Sequence, residues 1–282
     1  MVQSMTKVRF TDRRVIENFL KITSAISATL SLLVLFVDIP KDYKSIYGWI
    51  FIALLILIYL VIWIFSNNLN EININIEGSE VTIKVGDIFS ESGFKVIAFN
   101  EYFDTIVDNK IISENSLNGI FVKKYFGDRV SELDNHIDNY FFDESEKLDC
   151  NASRVVGKKL RYQIGSICVY EDFILAAFTK FDKNNKAVLT MPEYLEFLIN
   201  FWDNVNNVYG QHSVATPIFG SGITRIQGHK TISDEDLLKI MLWTFRISEM
   251  RFKYPAKLTV VIHKSKIDKI NLLDIKSAKN GV

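Results

Sequence analysis

The chain has 282 residues, 48% of them hydrophobic and 23% charged, a length ample for one domain and tight for two full ones. Lys+Arg and Asp+Glu each total 33, and this balance argues against nucleic acid as a partner, because polyanion binding rests on a basic excess. Only Cys150 and Cys168 are present, which argues against a disulfide framework and a zinc site and leaves each as an isolated small apolar residue.

In chain order, the first signal is apolar. Residues 47–65, YGWIFIALLILIYLVIWIF, carry no charge and no proline, and about 20 such residues cross a bilayer core as a helix. Tyr47, Trp49 and Trp63 stand where interfacial aromatics belong. Residues 19–37, FLKITSAISATLSLLVLFV, are weaker, with Lys21 able to snorkel and hydroxyls able to bond back to the helix backbone. With the link DIPKDYKSI the two read as a transmembrane hairpin. A cleaved signal peptide is the alternative for the first stretch and fits poorly, since a second span follows directly. Lys7, Arg9, Arg13, Arg14 and Lys21 flank the first span, against Lys41 and Lys44 in the link. The positive-inside rule then places the N-terminus and everything after Ser66 in the cytoplasm, giving a multi-pass protein of the cytoplasmic (inner) membrane. The expected division is residues 1–68 for the N-terminal segment and spans, and 69–282 for a cytoplasmic domain.

After SNNLNE, short strand patterns begin: ININ, VTIKV and FKVIAF at 94–99. A helix is expected over 116–126 with Ser116 as N-cap, and a helical or irregular acidic stretch over 130–141. GSICVY and FILAAF flank Glu171-Asp172 as a hairpin. A long amphipathic helix covers 191–209 with Pro192 in its first turn. HSVATPIF is a buried strand, Ser233 caps the next helix, 256–263 is a strand, and the chain closes on a short helix. Strands interleaved with helices give an α/β domain, whose ligands bind at the carboxyl ends of the strands.

Residues 217–227, PIFGSGITRIQ, put two glycines around a serine directly after an apolar run. Amides of Gly220, Ser221 and Gly222 can make a nest for an anion, although a plain turn explains the same letters. No Gly-Lys-Ser/Thr follows, and the third glycine of a dinucleotide fingerprint is missing. Arg225 either pairs with a phosphate or caps a strand end. The stretch 182–193 imitates a calcium loop, yet places Lys186 and Ala187 where a ligand and a glycine are needed. His136, His212, His229 and His263 share no ligand spacing, so no metal and no cofactor is expected. The acidic tract 143–149 reads as a solvated loop.

Gly86-Asp87-Ile88, the Asn100 loop and Gly220-Ser221-Gly222 followed by Ile223, Thr224 and Arg225 resemble the macro domain family, binders of ADP-ribose and its relatives, over about 71–263. The resemblance implies a macro-domain-like three-layer α/β/α sheet domain, with Asp87 accepting from the adenine amino group and the second loop wrapping the diphosphate. The family's glycine-rich first loop is absent. NEYFDTIVDNKIISENSLNGIF stands in its place, and Tyr102 and Phe103 are expected to close over the distal part of the ligand as a switch. Glu101 and Asp104 are either water-positioning carboxylates or solvated loop charge. The expected ligand set is therefore Asp87, Ile88, Asn100, Glu101, Tyr102, Phe103, Asp104, Gly220, Ser221, Gly222, Ile223, Thr224 and Arg225, with no catalytic residue.

Two spans before such a domain resemble the membrane-bound effectors of Thoeris anti-phage defence systems. That resemblance implies a TIR-domain enzyme as the source of the signal, an ADP-ribose conjugate of histidine as the ligand, self-association on activation, and disruption of membrane lipid. The rivals are a membrane-tethered ADP-ribosyl hydrolase and an adaptor whose domain has lost its ligand.

Overall fold

The uncharged run at 47–65 lies within α2 (Lys41–Asn67), 27 residues long. Among the described residues it is the one helix long and apolar enough to cross a membrane. The preceding α1 (Arg13–Val34) is 22 residues long but begins with Arg13, Arg14 and Glu17 and carries Lys21 and several hydroxyls. It does not reach that apolarity, so one of the two expected spans meets the requirement. The hydroxyls bond back as expected: Thr23 Oγ1 donates to the carbonyl of Phe19 at 2.8 Å and Ser31 Oγ to that of Ser27 at 2.8 Å. The two helices pack through Phe19 on Tyr59, rings 5.3 Å apart, while Phe10 stands edge-on to Tyr59 at 4.9 Å and to Trp63 at 5.5 Å. Trp63 Nε1 donates to the carbonyl of Val8 at 3.0 Å.

The remaining elements, in chain order, are β1 (Glu71–Ile76), β2 (Ser79–Val85), β3 (Phe94–Asn100), α3 (Leu117–Tyr125), α4 (Val130–Asn139), β4 (Lys147–Cys150), β5 (Leu160–Tyr162), β6 (Ile167–Tyr170), β7 (Phe173–Phe181), β8 (Ala187–Thr190), α5 (Met191–Val208), β9 (Val214–Pro217), β10 (Arg225–Gln227), α6 (Asp234–Ile247), β11 (Leu258–Ile262) and α7 (Leu272–Ser277). The structure, a computed structural model, describes residues 7–37, 40–182, 185–222, 224–228 and 232–277. The caps explain several helix starts. Ser116 accepts from the Gly119 amide, Ser233 and Asp236 form a reciprocal capping box, and Thr190 forms another with Glu193 just before Pro192.

Nine strands form one sheet in the order β1-β2-β11-β9-β3-β7-β8-β10, with β6 also on β7. From β2 to β7 the neighbours run parallel: β11 with β2 and β9, and β3 with β9 and β7. The sequences of β7 (FILAAF) and β11 (LTVVI) are near-continuous apolar runs because both faces are covered, whereas β2 (SEVTIKV) alternates. On β3, Val96 joins the core under α5 and α6, while Ile97 and Phe99 join the core under α3 and α4. On β7, Ile174, Ala176 and Phe178 face the first core, and Phe173, Leu175 and Ala177 the second. The α/β/α layering expected from the sequence is therefore present. The acidic tract at 143–149 is only partly a loop: β4 pairs antiparallel with β5. Within the calcium-like stretch, residues 183 and 184 lie outside the described residues, and Ala187–Thr190 is strand β8.

The cysteines differ in their surroundings. Cys168 is buried and Cys150 exposed, and burial pushes the Cys168 thiol up to about 12. A thiol held protonated is a poor nucleophile. Alkylation of the native protein at pH 8 is expected to label one cysteine, Cys150, and denaturation to release the second, with mass spectrometry of the labelled peptides as the check.

Candidate functional site

A cavity of about 860 Å³ opens at the carboxyl ends of the parallel strands. Each of four strands delivers part of its wall: Ala98 to Asn100 end β3, Phe178, Thr179 and Phe181 end β7, Pro217 to Gly222 leave β9, and His263 and Ser265 follow β11. That is where a parallel sheet exposes backbone groups that its own ladder no longer uses. The far wall comes from residues 109–113 and 115–118, and a side from Asn185, Lys186 and Ala187.

Gly220 occupies the turn with φ of +81°, a region a glycine enters without strain. A Cβ there would stand 3.4 Å from Leu237 Cδ1. The turn is anchored on both covering helices: the Phe219 carbonyl accepts from Tyr194 Oη at 3.0 Å, and the Phe219 amide points at Met241 Sδ at 3.4 Å. The expected nest is only partly open. The Ser221 amide donates to the carbonyl of Ile218 at 3.3 Å, and its hydroxyl to the same oxygen at 2.8 Å. Among the described residues the amides of Gly220 and Gly222 have no such partner. A Cβ on Gly222 would meet nothing within 4 Å, and its φ lies outside the left-handed region, so neither packing nor backbone strain demands glycine there.

Asn100 sits where the register between β3 and β7 slips. Its Oδ1 accepts from the Tyr102 amide at 2.9 Å and the Asp104 amide at 3.3 Å. The network fixes the amide orientation, and Nδ2 is buried with no partner at the cavity wall. Such an orphaned donor costs free energy unless something accepts from it.

The residues that follow do not form a lid. Glu101, Tyr102, Phe103 and Asp104 are 1%, 2%, 0% and 0% exposed, and none lines the cavity. Phe103 packs against Phe99, Phe142 and Tyr162 at ring distances of 5.2–6.1 Å. Asp104 is held by Arg154 at 2.6 Å and by the Lys158 amide at 2.8 Å. The Arg154 guanidinium lies 3.8 Å from the centre of the Tyr102 ring. Burial pushes the Glu101 carboxyl above its ordinary value, opposed by the Phe181 amide, which it accepts at 3.1 Å, and by Arg161. The carboxylates expected in solvent or beside a ligand are thus interior, because the aromatic residues between them pull the segment into the core under α3 and α4.

Asp87 and Ile88 also stand outside the cavity lining. Gly86 donates to the carbonyl of Ile262 at 3.0 Å, which sets this turn beside the His263 end. Asp87 Oδ1 accepts from the Phe89 amide at 3.0 Å, and Ile88 packs with Ala215 and Val261. Thr224 lines the cavity. Ile223 lies outside the described residues, and of Arg225 only the backbone, at the start of β10, is described.

Sequence reading missed the lysines. Lys110, Lys186 and Lys266 line the cavity with His263, and no Asp or Glu does so among the described residues. Their sequence separation hides them; only the convergence of three loops brings them together.

Strand order, layering and a strand-end cavity beside a Gly-Ser-Gly turn define a layered α/β domain with a ligand-sized cleft at the carboxyl ends of its strands. A family description of the macro domain of Thoeris protein ThsA matches residues 81–263. Thoeris protein ThsA of Bacillus amyloliquefaciens (strain Y2) is 40% identical over 269 residues, covering 93% of this chain and 89% of that protein. The chain belongs to the Thoeris ThsA family of antiviral defence proteins, in its macro-domain form. Among solved structures, an Oceanobacillus iheyensis macrodomain with ADP is 14% identical at a TM-score of 0.44, covering 74% of this chain and 94% of that one. A variant of that macrodomain with ADPR has a TM-score of 0.40 at 14% identity, covering 74% and 96%.

Proposed function

We infer that the chain is a membrane-anchored sensor whose macro domain binds an ADP-ribose-derived nucleotide and whose occupancy acts on α1 and α2 to compromise the bilayer in anti-phage defence. The observation that carries the binding half is the cavity's charge. In a chain of zero formal net charge, Lys110, Lys186 and Lys266 converge beside His263 with no carboxylate among the described lining residues, and the acid that holds Lys266, Asp234 at 3.3 Å, stands outside that lining. Low-dielectric walls of one sign focus potential and attract an ion of the other. The Gly220 and Gly222 amides take phosphate oxygens, and Asn100 Nδ2 and Thr224 take oxygens of the ribose or phosphate. Asp87, with one oxygen committed to Phe89, offers the other to the adenine amino group at the His263 end.

The membrane half is supported by α2, where Trp49, Leu57 and Phe65 are 70%, 57% and 70% exposed. At about 25 cal/mol per Å² of apolar surface, such a helix is stable in lipid and not in water. Beside it, α1 completes a hairpin with the N-terminus and the domain on the cytoplasmic side. A TIR-domain enzyme supplies the signal, a conjugate such as histidine–ADP-ribose, and activation proceeds through self-association. Sensing is favoured over hydrolysis because Glu101 and Asp104 are committed inside the protein rather than aimed at a scissile bond.

The test uses the full chain in lipid nanodiscs. Calorimetry with ADP-ribose is expected to show saturable heat, and incubation with an ADP-ribosylated protein is expected to leave the modification intact. Release of the modification with turnover overturns the sensor reading in favour of a hydrolase. Absence of heat at millimolar ADP-ribose overturns nucleotide binding.

A further inference from the structure

The first turns of α6 stand against the cavity and, through Asn271 and Asp274 at α7, connect to the base of α1. On the cavity side, Lys266 pairs with Asp234, the first residue of α6, at 3.3 Å. The Gly220 turn rests on Leu237 and Met241 of the same helix. A different face of α6 carries Glu235 and Lys239, one helical turn apart and paired at 2.8 Å. Glu235 accepts the Asn271 amide at 2.7 Å, and Lys239 reaches Asp274 of α7 at 2.6 Å. The other carboxylate oxygen of Asp274 holds Arg14 of α1 at 3.1 Å. Asn271 Nδ2 donates to Asp12 Oδ2 at 3.1 Å, and Asp12 is the residue that caps α1 through the Arg14 amide. Residues 260 positions apart in sequence are joined by these bonds.

We propose that this chain of contacts is a resting latch: Asp274 and Asn271 hold the base of α1 through Arg14 and Asp12, and an anion that takes Lys266 from Asp234 loosens the hold through α6. The proposal rests on the sensor reading above and names the regulation of that site. A bound diphosphate carries more charge than one carboxylate, so it competes for the Lys266 ammonium. Between the cavity rim and α7 lies hydrogen-bonded helix, which moves as a unit. Each pair keeps 14–33% of its side-chain surface in solvent, and ion pairs that water still reaches are individually weak, which suits a latch meant to open. Linkage makes the effect reciprocal: whatever opens the latch tightens the ligand.

The experiment uses full-length protein in phosphatidylglycerol–phosphatidylethanolamine vesicles loaded with a self-quenched dye, with ADP-ribose as the binding probe. Arg14→Ala and Asp274→Asn, neither in the cavity, are expected to release dye without ligand at least about fivefold faster than wild type and to bind ADP-ribose tighter by a similar factor. Arg14→Lys, which keeps the cation, is expected to stay near wild type. Two variants on opposite sides of the contact guard against one that misfolds, with circular dichroism as the check. Wild-type dye release together with wild-type affinity in both variants overturns the latch. If the wild type does not bind ADP-ribose yet both variants leak unprompted, the latch stands and the nucleotide reading falls.

Discussion

Replacing Arg154 by methionine is expected to destabilise the folded domain by about 3–5 kcal/mol, because it strands the Asp104 carboxylate in the interior without its cation. The side chains of the pair are 6% and 0% exposed, 2.6 Å apart. The site is built around them: a Cβ at Gly157 would come within 2.6 Å of Asp104 Oδ1 and 2.9 Å of Arg154 Nη1. Arg154 also donates to Asn185 Oδ1 at 3.1 Å, and Asn185 is part of the cavity wall. The variant should therefore lose ADP-ribose affinity along with stability. Urea unfolding of the detergent-solubilised chain reads the effect as a lower midpoint at unchanged slope. The double variant Arg154→Met/Asp104→Leu is expected to recover most of the loss, since burying two apolar groups leaves no charge unpaired. A single variant as stable as wild type would show that water reaches Asp104.

Gly220→Val is expected to weaken ADP-ribose binding by at least tenfold, about 1.4 kcal/mol, and to strain the fold by about 1–3 kcal/mol. A β-branched residue does not settle at φ of +81°, and its side chain would push against Leu237, moving the turn that lines the cavity. Gly222→Ala separates the two effects. Its Cβ meets nothing within 4 Å and its backbone is not in the left-handed region, so stability should hold while affinity falls if a phosphate lies against that amide. Calorimetry on the two variants decides. Unchanged affinity in Gly222→Ala would reduce the loop to a turn and assign the anion to the lysines alone.

The legible part of this protein is local. An uncharged run long enough to span a bilayer announces α2 because hydrophobic length is a property of consecutive residues. Ser116 and Ser233 announce α3 and α6 because a capping hydroxyl bonds amides two or three residues on. The resemblance of the Gly86-Asp87-Ile88 and Gly220-Ser221-Gly222 stretches to the macro domain family located the domain that the family match covers at 81–263. The Asn100 and Gly220 loops were found from the sequence because each directly follows its strand.

What the tertiary structure alone decided is which distant residues meet. The stretch Glu101 to Asp104 has the polar and aromatic mixture of a surface loop, and its burial depends on Arg154, 50 positions later, arriving as a counter-ion. The positive cavity gathers Lys110, Lys186 and Lys266 from three separate loops. The clasp of Asp274 on Arg14 joins nearly the two ends of the chain. Period-two alternation tells which face a residue takes, but not which strand lies beside it, since neighbouring strands in this sheet are mostly non-consecutive. Charges that meet only through such non-local pairing leave no mark on their own surroundings in the sequence, and their burial and partners follow from the packing of the whole sheet.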